Sequence, residues 1–231
     1  MTTIGVDPAA PRPEIAFRVY VPDQWLALDL DPATSGGWIE GVLDARIAEH
    51  PEAAPHRGHM RRILQDLIEQ QRAAGVFLAA ILVGAGPRTA DLIGASFTLS
   101  WLRLTAPPAD IEWLARFLAE DAPADGEDPA LRTVEVVDLP AGPAVRTTSS
   151  LLVPVPESSR RQRVTVNQLT VPVPGTPWLG VLAVSSPNLD LAEVFATLAD
   201  EIAQSLTFPD PTDPGPAAPS PRRTIGYLPP G

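Results

Sequence analysis

The sequence predicts an α+β fold, a mainly antiparallel sheet of about six or seven strands with helices on both faces (an α/β/α sandwich). Two segments, 76–83 and 178–184, are apolar on both faces, which is typical of strands covered on both sides. Other segments alternate apolar and polar residues, which is typical of strands with one buried face. Between them lie segments whose apolar residues recur at helical spacing, and these would cover the sheet.

The first strand is predicted over residues 15–21, and Pro22 ends it because proline cannot donate to a β-ladder. A helix follows, since Thr34 or Ser35 can cap its start and Pro51 marks its end. Its apolar stripe consists of Trp38, Ile39, Val42, Leu43 and Ile47.

A second helix is predicted over about residues 56–73, and Gly75 is well placed to end it. The strand at 76–83 comes next. It is joined by a turn at 84–88 to a strand at 93–101 that alternates cleanly, so the two strands are predicted to form a β-hairpin. The stripe of the second helix consists of Met60, Ile63, Leu64, Leu67 and Ile68.

The next segments predict a third helix at 107–119 and a second hairpin, in which 134–139 pairs with 145–153 around a turn rich in proline. In the strand at 163–173 the apolar residues change face partway along. This change predicts a β-bulge near Asn167 and Gln168.

The last helix of the domain begins where Asp190 and Glu193 fit the spacing of a capping box. The chain is predicted to comprise a disordered N-terminal arm (1–14), a single α+β domain (15–208) and a disordered, proline-rich tail (209–231). The apolar stripe of the last helix consists of Leu191, Val194, Phe195, Leu198, Ile202 and Leu206.

The composition excludes several kinds of chemistry. The chain has no cysteine, which removes disulfides, thiolate nucleophiles and cysteine-ligated metals. It has no lysine either, since all 17 basic residues are arginine, and this removes Schiff-base chemistry and the P-loop lysine. Arginine in place of lysine, with abundant alanine and proline, is typical of GC-rich coding sequences such as those of actinobacteria.

The net charge of −11 argues against nucleic acids and anionic membranes as partners, since both attract basic surfaces. The arginine clusters at 61–62, 160–163 and 222–223 are interpreted as solvated surface side chains. No apolar run approaches the roughly 20 residues that span a bilayer. The first residues resemble no secretory signal, so a cytoplasmic location is expected.

Sequence motifs of enzymes and metal sites are incomplete in this chain. Residues 84–86 (Gly-Ala-Gly) follow a strand, but the third glycine and the helix of a dinucleotide fingerprint are missing. His50, His56 and His59 lie close together without the spacing of a helical metal motif, which favours a solvated loop. The acidic loop at 120–129 lacks the order of an EF-hand. We therefore predict no catalytic residue, no metal site and no cofactor.

A sheet face lined by hydroxyl groups is a further possibility. Ser96, Thr98 and Ser100 share one side of their strand, and Thr147 and Ser149 would lie on a neighbouring strand. Such a face could bind a ligand or a partner. A solvated or helix-covered sheet surface is the commoner alternative.

Two parts of the chain are candidates for binding a partner protein. Trp25 is the tryptophan expected to be partly exposed, and exposed tryptophans often anchor interfaces. The end of the tail regains apolar and aromatic residues after a low-complexity spacer, a pattern typical of a short linear motif, although an extension without function is equally consistent with it. The candidate partner-binding residues are Trp25, Arg222, Arg223, Ile225, Tyr227 and Leu228.

Both ends of the domain resemble one fold family. Residues 17–25 read Phe-Arg-Val-Tyr-Val-Pro-Asp-Gln-Trp, and residues 178–208 form a strand that runs through Ser-Ser-Pro into a long helix. The first segment resembles the opening strand and P-x-x-W turn of the Mog1/PsbP-like proteins, and the second resembles their closing strand and helix. Members are mostly non-enzymatic photosystem subunits, a GTPase-binding factor, lipoproteins and secretion chaperones. The resemblance implies a protein-binding accessory role and transfers no catalytic residue.

The sequence thus favours a non-enzymatic, cytoplasmic adaptor or chaperone-like module that binds another protein. Two alternatives stay open: a small-molecule-binding domain, and an enzyme whose site the sequence does not reveal. A broad exposed apolar patch would favour the adaptor, and a deep apolar pocket would favour ligand binding. A cleft that holds His56 or His59 against a perturbed carboxylate would favour the enzyme.

Overall fold

The computed structural model describes residues 13, 15–85, 92–108, 110–120, 125–155, 159–208 and 222–227. The predicted N-terminal arm therefore lies outside the described residues except for Pro13. The same holds for most of the 84–88 turn, for the first part of the acidic loop, and for the tail apart from 222–227.

A seven-stranded antiparallel sheet forms the centre of the protein, in the order β2-β3-β4-β8-β7-β6-β5. A separate two-stranded sheet pairs β1 with β9. The predicted α+β class and the mainly antiparallel sheet are confirmed. The strands are β1 Phe17–Pro22, β2 Leu26–Ala27, β3 Val76–Ala85, β4 Leu92–Arg103, β5 Thr133–Leu139, β6 Gly142–Pro154, β7 Arg161–Pro172, β8 Trp178–Ser186 and β9 Arg222–Tyr227.

Helices cover both faces of the sheet. The helix α4 packs on one face together with β1, and α1, α2 and α3 pack on the other. Short 3₁₀ turns precede α2, β5 and α4 at Pro51–His56, Pro129–Leu131 and Leu189–Leu191. The helices are α1 Ser35–Glu49, α2 Arg57–Ala73, α3 Ile111–Glu120 and α4 Ala192–Gln204.

The main core lies between the sheet and α4. Phe97, Leu182 and Val184 of the two central strands are fully buried against Phe195 and Ile202 of that helix. Burying large apolar side chains is the dominant stabilising contribution in a domain of this size.

Two smaller clusters lie on the opposite face: one over β3, and one over β5 and β6 that reaches Leu179 of β8 and Leu102 of β4. In the first, Leu43 of α1 and Ile68 of α2 pack against Ala79 of β3. In the second, Leu114 of α3 packs with Val145 of β6. Since residues directly opposite each other on antiparallel strands point to the same face, the β-registers place both clusters on one side of the sheet.

The predicted bulge near Asn167 and Gln168 is wrong. Strand β7 pairs with β6 and β8 in continuous register through both residues. The change of face arises because Leu169 and Val171 enter the main core, whereas Val166 lies on the opposite face and is only half-buried. The bulge that does occur is in β3, where the register shifts between residues 76 and 78.

Two helix starts differ from their predictions. The third helix begins at Ile111 rather than at residue 107, because the Asp110 carboxylate accepts a hydrogen bond from the Trp113 amide at 2.6 Å and caps the helix there. The capping box predicted for Asp190 and Glu193 does not form, since Asp190 lies in a 3₁₀ turn and α4 begins at Ala192.

The end of the tail departs from the predicted disorder over 209–231. Residues Arg222–Tyr227 form β9, which pairs antiparallel with β1 and places Ile225 opposite Val19. Local sequence patterns do not indicate this pairing, because the partner strand lies about 200 residues earlier in the chain.

Candidate functional site

The middle of one sheet face has no helix packed on it within the described parts of the chain. On this face α2 packs on β3, and α3 packs on β5 and β6 and also covers one end of β4 and β8 at Leu102 and Leu179. Strands β4, β8 and β7 lie between these two positions. We call their half-buried side chains on this face the open floor: Ser96, Thr98, Ser100, Val166, Gln168, Val181, Ala183 and Ser185.

The open floor is as wide as one helix. About four strand spacings, ~19 Å in all, separate β3 under α2 from β6 under α3, and the gap narrows at the end where α3 also covers Leu102 and Leu179. Packed helices lie 8–10 Å apart, so a gap of twice that distance accommodates a single further helix. A docked helix would fill the gap between α2 and α3 and complete the helical layer on this face of the sheet.

The open floor is built from uncharged side chains, and all of them except Gln168 are small or medium-sized. The hydroxyl groups of Ser96 and Ser185 lie 2.7 Å apart and share a hydrogen bond across β4 and β8. Valine and alanine side chains alternate with the polar ones, so the surface offers both apolar contact and hydrogen-bonding groups. Small side chains allow a docked backbone to approach the sheet closely.

The predicted hydroxyl face is present, but in a different arrangement. Ser96, Thr98 and Ser100 share the face with Thr147 and Ser149 of β6, as expected. Strands β8 and β7 lie between the two groups, so they form opposite sides of a broader surface. Thr147 is 8% exposed, and its Oγ1 atom has no hydrogen-bond partner in the structure.

Ion pairs hold α1 and α2 together beside the open floor. The carboxylate of Glu40 accepts hydrogen bonds from Arg57 and from Arg61, each at 2.6 Å. Hydrogen bonds from Arg61 and then Arg57 lower the pKa of Glu40 to about 2. Arg57 also donates to Asp44 at 2.6 Å, and these contacts raise its pKa. This network fixes the position of the helix pair.

Two surface cavities lie away from the open floor. One of about 390 Å³ lies between the end of β1 and α4 and includes the carboxylates of Asp23 and Glu201. The other, of about 430 Å³, is lined by Arg160, Arg161 and Arg163 with apolar neighbours that include Leu189.

The histidines do not form a catalytic arrangement with these cavities. His56 and His59 are exposed at the start of α2, and neither lines the two cavities just described. His50 lies 3.2 Å from Glu52, and both side chains are largely exposed. Across the described residues, no group of three or more histidine or acidic side chains could hold a metal ion. The enzyme alternative gains no support from this geometry.

The expected exposure of Trp25 is wrong. Its side chain is 3% exposed in the main core, because the Trp25 amide donates to the Pro22 carbonyl at 3.0 Å and folds the chain back after β1. Its indole Nε1 has no hydrogen-bond partner in the structure. A buried indole cannot anchor an interface without rearrangement of the core.

The structure places most of the tail candidates in a single strand. Arg222, Arg223, Ile225 and Tyr227 belong to β9 and pair with β1, whereas Leu228 lies outside the described residues. Trp25 follows β1 by a few residues, so the structure brings the candidates to one region of the fold.

Sequence patterns did not reveal the β7 and β8 part of the open floor. Segment 178–184 is apolar on both faces, so it was predicted to be covered on both sides. A bulge was predicted near Asn167 and Gln168, which obscured the face shared by Val166 and Gln168. The usable signal was the run of smaller residues that follows Leu179 on one face of β8, namely Val181, Ala183 and Ser185.

Comparisons with known proteins give little beyond the fold. No protein-family model matches the chain, and no curated protein matches it. Among solved structures it is similar to LpqN, described as involved in cell envelope biogenesis of Mycobacterium tuberculosis, with 11% identity and a TM-score of 0.44. The match covers 89% of this chain and 90% of that one. It is a weak, fold-level resemblance.

None of the described helices is both long and apolar enough to cross a membrane.

Proposed function

We propose that the protein is a non-enzymatic adaptor or chaperone-like module, and that its open floor receives a segment of a partner protein. The observation that carries the proposal is the helix-wide gap over β4, β8 and β7, which is lined by uncharged and mostly small side chains. Helix-in-groove docking is a common mode of peptide recognition.

The character of the floor favours a partner segment with mixed polarity. The Ser96–Ser185 hydroxyl pair and the Gln168 amide can exchange hydrogen bonds with the partner, and Val166 and Val181 offer apolar contact. None of the floor side chains carries a charge, so the segment that lies on them should carry few charges as well, since an unpaired charge at a contact is costly.

The proposal also places the domain among the Mog1/PsbP-like proteins. Two features support this assignment. Strand β1 ends at Pro22 and is followed by a turn in which the Trp25 amide donates to the Pro22 carbonyl. At the other end of the domain, strand β8 is followed by helix α4. Most members of that family are accessory proteins that bind other proteins. Partner binding in the cytoplasm is part of the proposal, and fractionation of host cells checks it.

Photo-crosslinking in host cells tests whether the open floor is the contact surface. A photoreactive phenylalanine analogue replaces Ser185 on the floor in one chain and Val194 in the other. Val194 is 59% exposed on α4, on the other face of the sheet. We expect a discrete crosslinked protein from position 185 and none from position 194. Equal products from both positions, or none from position 185, contradict the proposal.

A charge variant supplies the specificity control. Thr98→Arg introduces a long cation in the middle of the open floor, and Gln65→Arg introduces the same group on an exposed position of α2. The crosslink from position 185 should be lost with Thr98→Arg and retained with Gln65→Arg. Retention in both variants would show that the floor does not make the contact.

A further inference from the structure

Three arginines line the surface cavity of about 430 Å³ at the start of β7. Arg160 precedes the strand, and Arg161 and Arg163 lie two residues apart on the same face of it. Pro187 and Leu189, which follow β8, supply an apolar wall. The cavity therefore combines concentrated positive charge with apolar surface, in a chain whose net charge is −11.

Arg163 is held in place by a buried hydroxyl group. Its Nη1 atom donates to Ser150 Oγ at 3.1 Å, and Ser150 of β6 is only 5% exposed. A guanidinium group has five N–H donors in a fixed planar arrangement. This bond therefore orients the guanidinium group and leaves further donors that can bind a ligand.

The guanidinium group of Arg161 lies close to the backbone of Gly126. A Cβ atom at position 126 would lie 2.9 Å from Arg161 Nη2 and 2.6 Å from the Leu152 carbonyl oxygen. Gly126 also has a φ of +82°, which glycine adopts more readily than other residues. The Leu152 amide donates to the Gly126 carbonyl at 2.9 Å and fixes this loop to β6. The glycine thus provides the space that Arg161 occupies.

The carboxylates beside these two arginines bind them loosely. Asp125 lies 3.3 Å from Arg161, and its side chain is 97% exposed. Asp128 lies 3.9 Å from Arg163, and its carboxylate also accepts a hydrogen bond from the Ala130 amide at 3.2 Å. Exposed ion pairs contribute little to stability, because water and salt screen them. An anion that enters the cavity can therefore replace both carboxylates at small cost.

The size and lining of the cavity indicate the class of ligand. Cavities of several hundred Å³ are typical of sites for small molecules. Guanidinium groups bind phosphate oxygens through paired hydrogen bonds. A phosphate dianion can bind two arginines at once, so it competes with Asp125 and Asp128 better than a single carboxylate does. Leu189 is 47% exposed in the cavity wall, and an apolar group on the ligand would cover it.

We propose that this cavity binds a small phosphate monoester that carries an apolar group. The phosphate lies between Arg161 and Arg163, and the apolar group lies on Pro187 and Leu189. None of the side chains that form the open floor lines this cavity. The site therefore stands or fails independently of the proposed function of the floor.

Calorimetric titration of the full chain with three probes tests the class of ligand. The probes are hexyl phosphate, inorganic phosphate and hexanoate, at about pH 8, where a phosphate monoester is a dianion. We expect hexyl phosphate to bind at least about tenfold more tightly than inorganic phosphate, which lacks the apolar group, and than hexanoate, which carries one charge. Absence of hexyl phosphate binding, or equal affinity for either of the other probes, overturns the proposal.

Arginine variants test the location of the phosphate. Arg161→Gln and Arg163→Gln should each weaken hexyl phosphate binding at least about tenfold, because each removes a charge-assisted hydrogen bond. Arg116→Gln on the exposed surface of α3 makes the same change of net charge away from the cavity and should leave the affinity within about twofold. Equal weakening in all three variants would show that only net charge matters. Arg161→Gln keeps the test decisive if loss of the Ser150 bond disturbs folding of Arg163→Gln.

A second pair of variants tests the apolar contact. Leu189→Ser should weaken binding of hexyl phosphate at least about fivefold and leave inorganic phosphate binding unchanged. Ile63 on α2 is 50% exposed and does not line the cavity, so Ile63→Ser should change neither affinity. If Leu189→Ser alters both affinities equally, or neither, the apolar group does not lie on Leu189 and the proposal is wrong.

Discussion

Thr147 carries a polar atom whose position works against stability. Its side chain is 8% exposed, and Oγ1 has no hydrogen-bond partner in the structure. A buried polar group without a partner loses its hydration and gains nothing in return, at a cost of about 1–3 kcal/mol. Thr170, on the same face, is also buried, but its hydroxyl accepts a hydrogen bond from Gln168 at 3.4 Å.

Replacement of these two hydroxyls by methyl groups should have opposite effects. We expect Thr147→Val to raise the free energy of unfolding by about 1 kcal/mol, and Thr170→Val to lower it by a similar amount. Urea unfolding followed by tryptophan fluorescence measures both. If Thr147→Val is the more destabilising of the two, the hydroxyl has a partner in solution.

Individual residues on the open floor could be predicted only in part. Ser96, Thr98 and Ser100 were recognised because their strand alternates strictly, which fixes the face of every side chain. No such alternation applies to Trp25, which follows the end of β1, and its expected exposure was wrong. Local sequence shows that a turn follows Pro22, but it does not show that the turn directs the indole into the core.

At the scale of elements, one carboxylate of α1 forms ion pairs with two arginines of α2. Glu40 on α1 bonds to both Arg57 and Arg61 on α2, and these bonds lower its pKa from 4.5 to about 2. A carboxyl whose pKa is lower in the folded state contributes its stabilisation fully above its unfolded pKa. That stabilisation is lost as the pH falls through the pKa of the carboxyl in the folded state.

The Glu40 contribution should therefore disappear between about pH 4.5 and about pH 2. We expect Glu40→Gln to be less stable than the unmodified chain near neutral pH, and the difference to shrink across this window. Urea unfolding at a series of pH values measures it. Glu69→Gln on the exposed face of α2 is the control, and an identical pH profile for both variants would refute the role of the network.

Helices and hairpins were the elements that sequence predicted well. All four helices and both hairpins involve contacts between residues close in the chain, so their periodicity and turn residues suffice. The exceptions have long-range causes. The pairing of β9 with β1 joins opposite ends of the chain, and the face change in β7 reflects which neighbours cover each side.

At the scale of the whole molecule, α4 determines the stability of the main core. Phe195 is 3% exposed among the central strands, whereas its neighbour Val194 is 59% exposed on the same helix. Truncation of a buried phenylalanine removes packing and leaves a cavity, at a cost of about 3–5 kcal/mol. Truncation of an exposed side chain changes stability by less than about 0.5 kcal/mol.

Phe195→Ala and Val194→Ala form a matched pair on adjacent positions. We expect the first to lower the free energy of unfolding by about 3–5 kcal/mol and the second to leave it nearly unchanged. Chemical unfolding curves followed by circular dichroism measure the difference. Comparable losses in the two variants would mean that α4 packs on the sheet through another face.

The class of fold was predictable, but the order of strands within the sheet was not. Segments that are apolar on both faces, and segments that alternate apolar and polar residues, identify the strands and indicate which of their faces are covered. Nothing in the pattern of β4 indicates that its second neighbour is β8. The open floor exists only because of that neighbour, and for this reason its full extent could not be predicted.

The pairing of β4 with β8 has a consequence for how the chain folds. In the large sheet, two pairs of neighbouring strands join segments that are distant in the sequence: β4 with β8, and the very short β2 with β3. All the other pairs join consecutive strands. The β5–β8 meander and the β3–β4 hairpin can each assemble from local contacts, whereas their junction must close a long loop, which is entropically costly. Within the large sheet, the last event in assembly should thus be the pairing of β4 with β8, directly beneath the surface proposed to receive a partner.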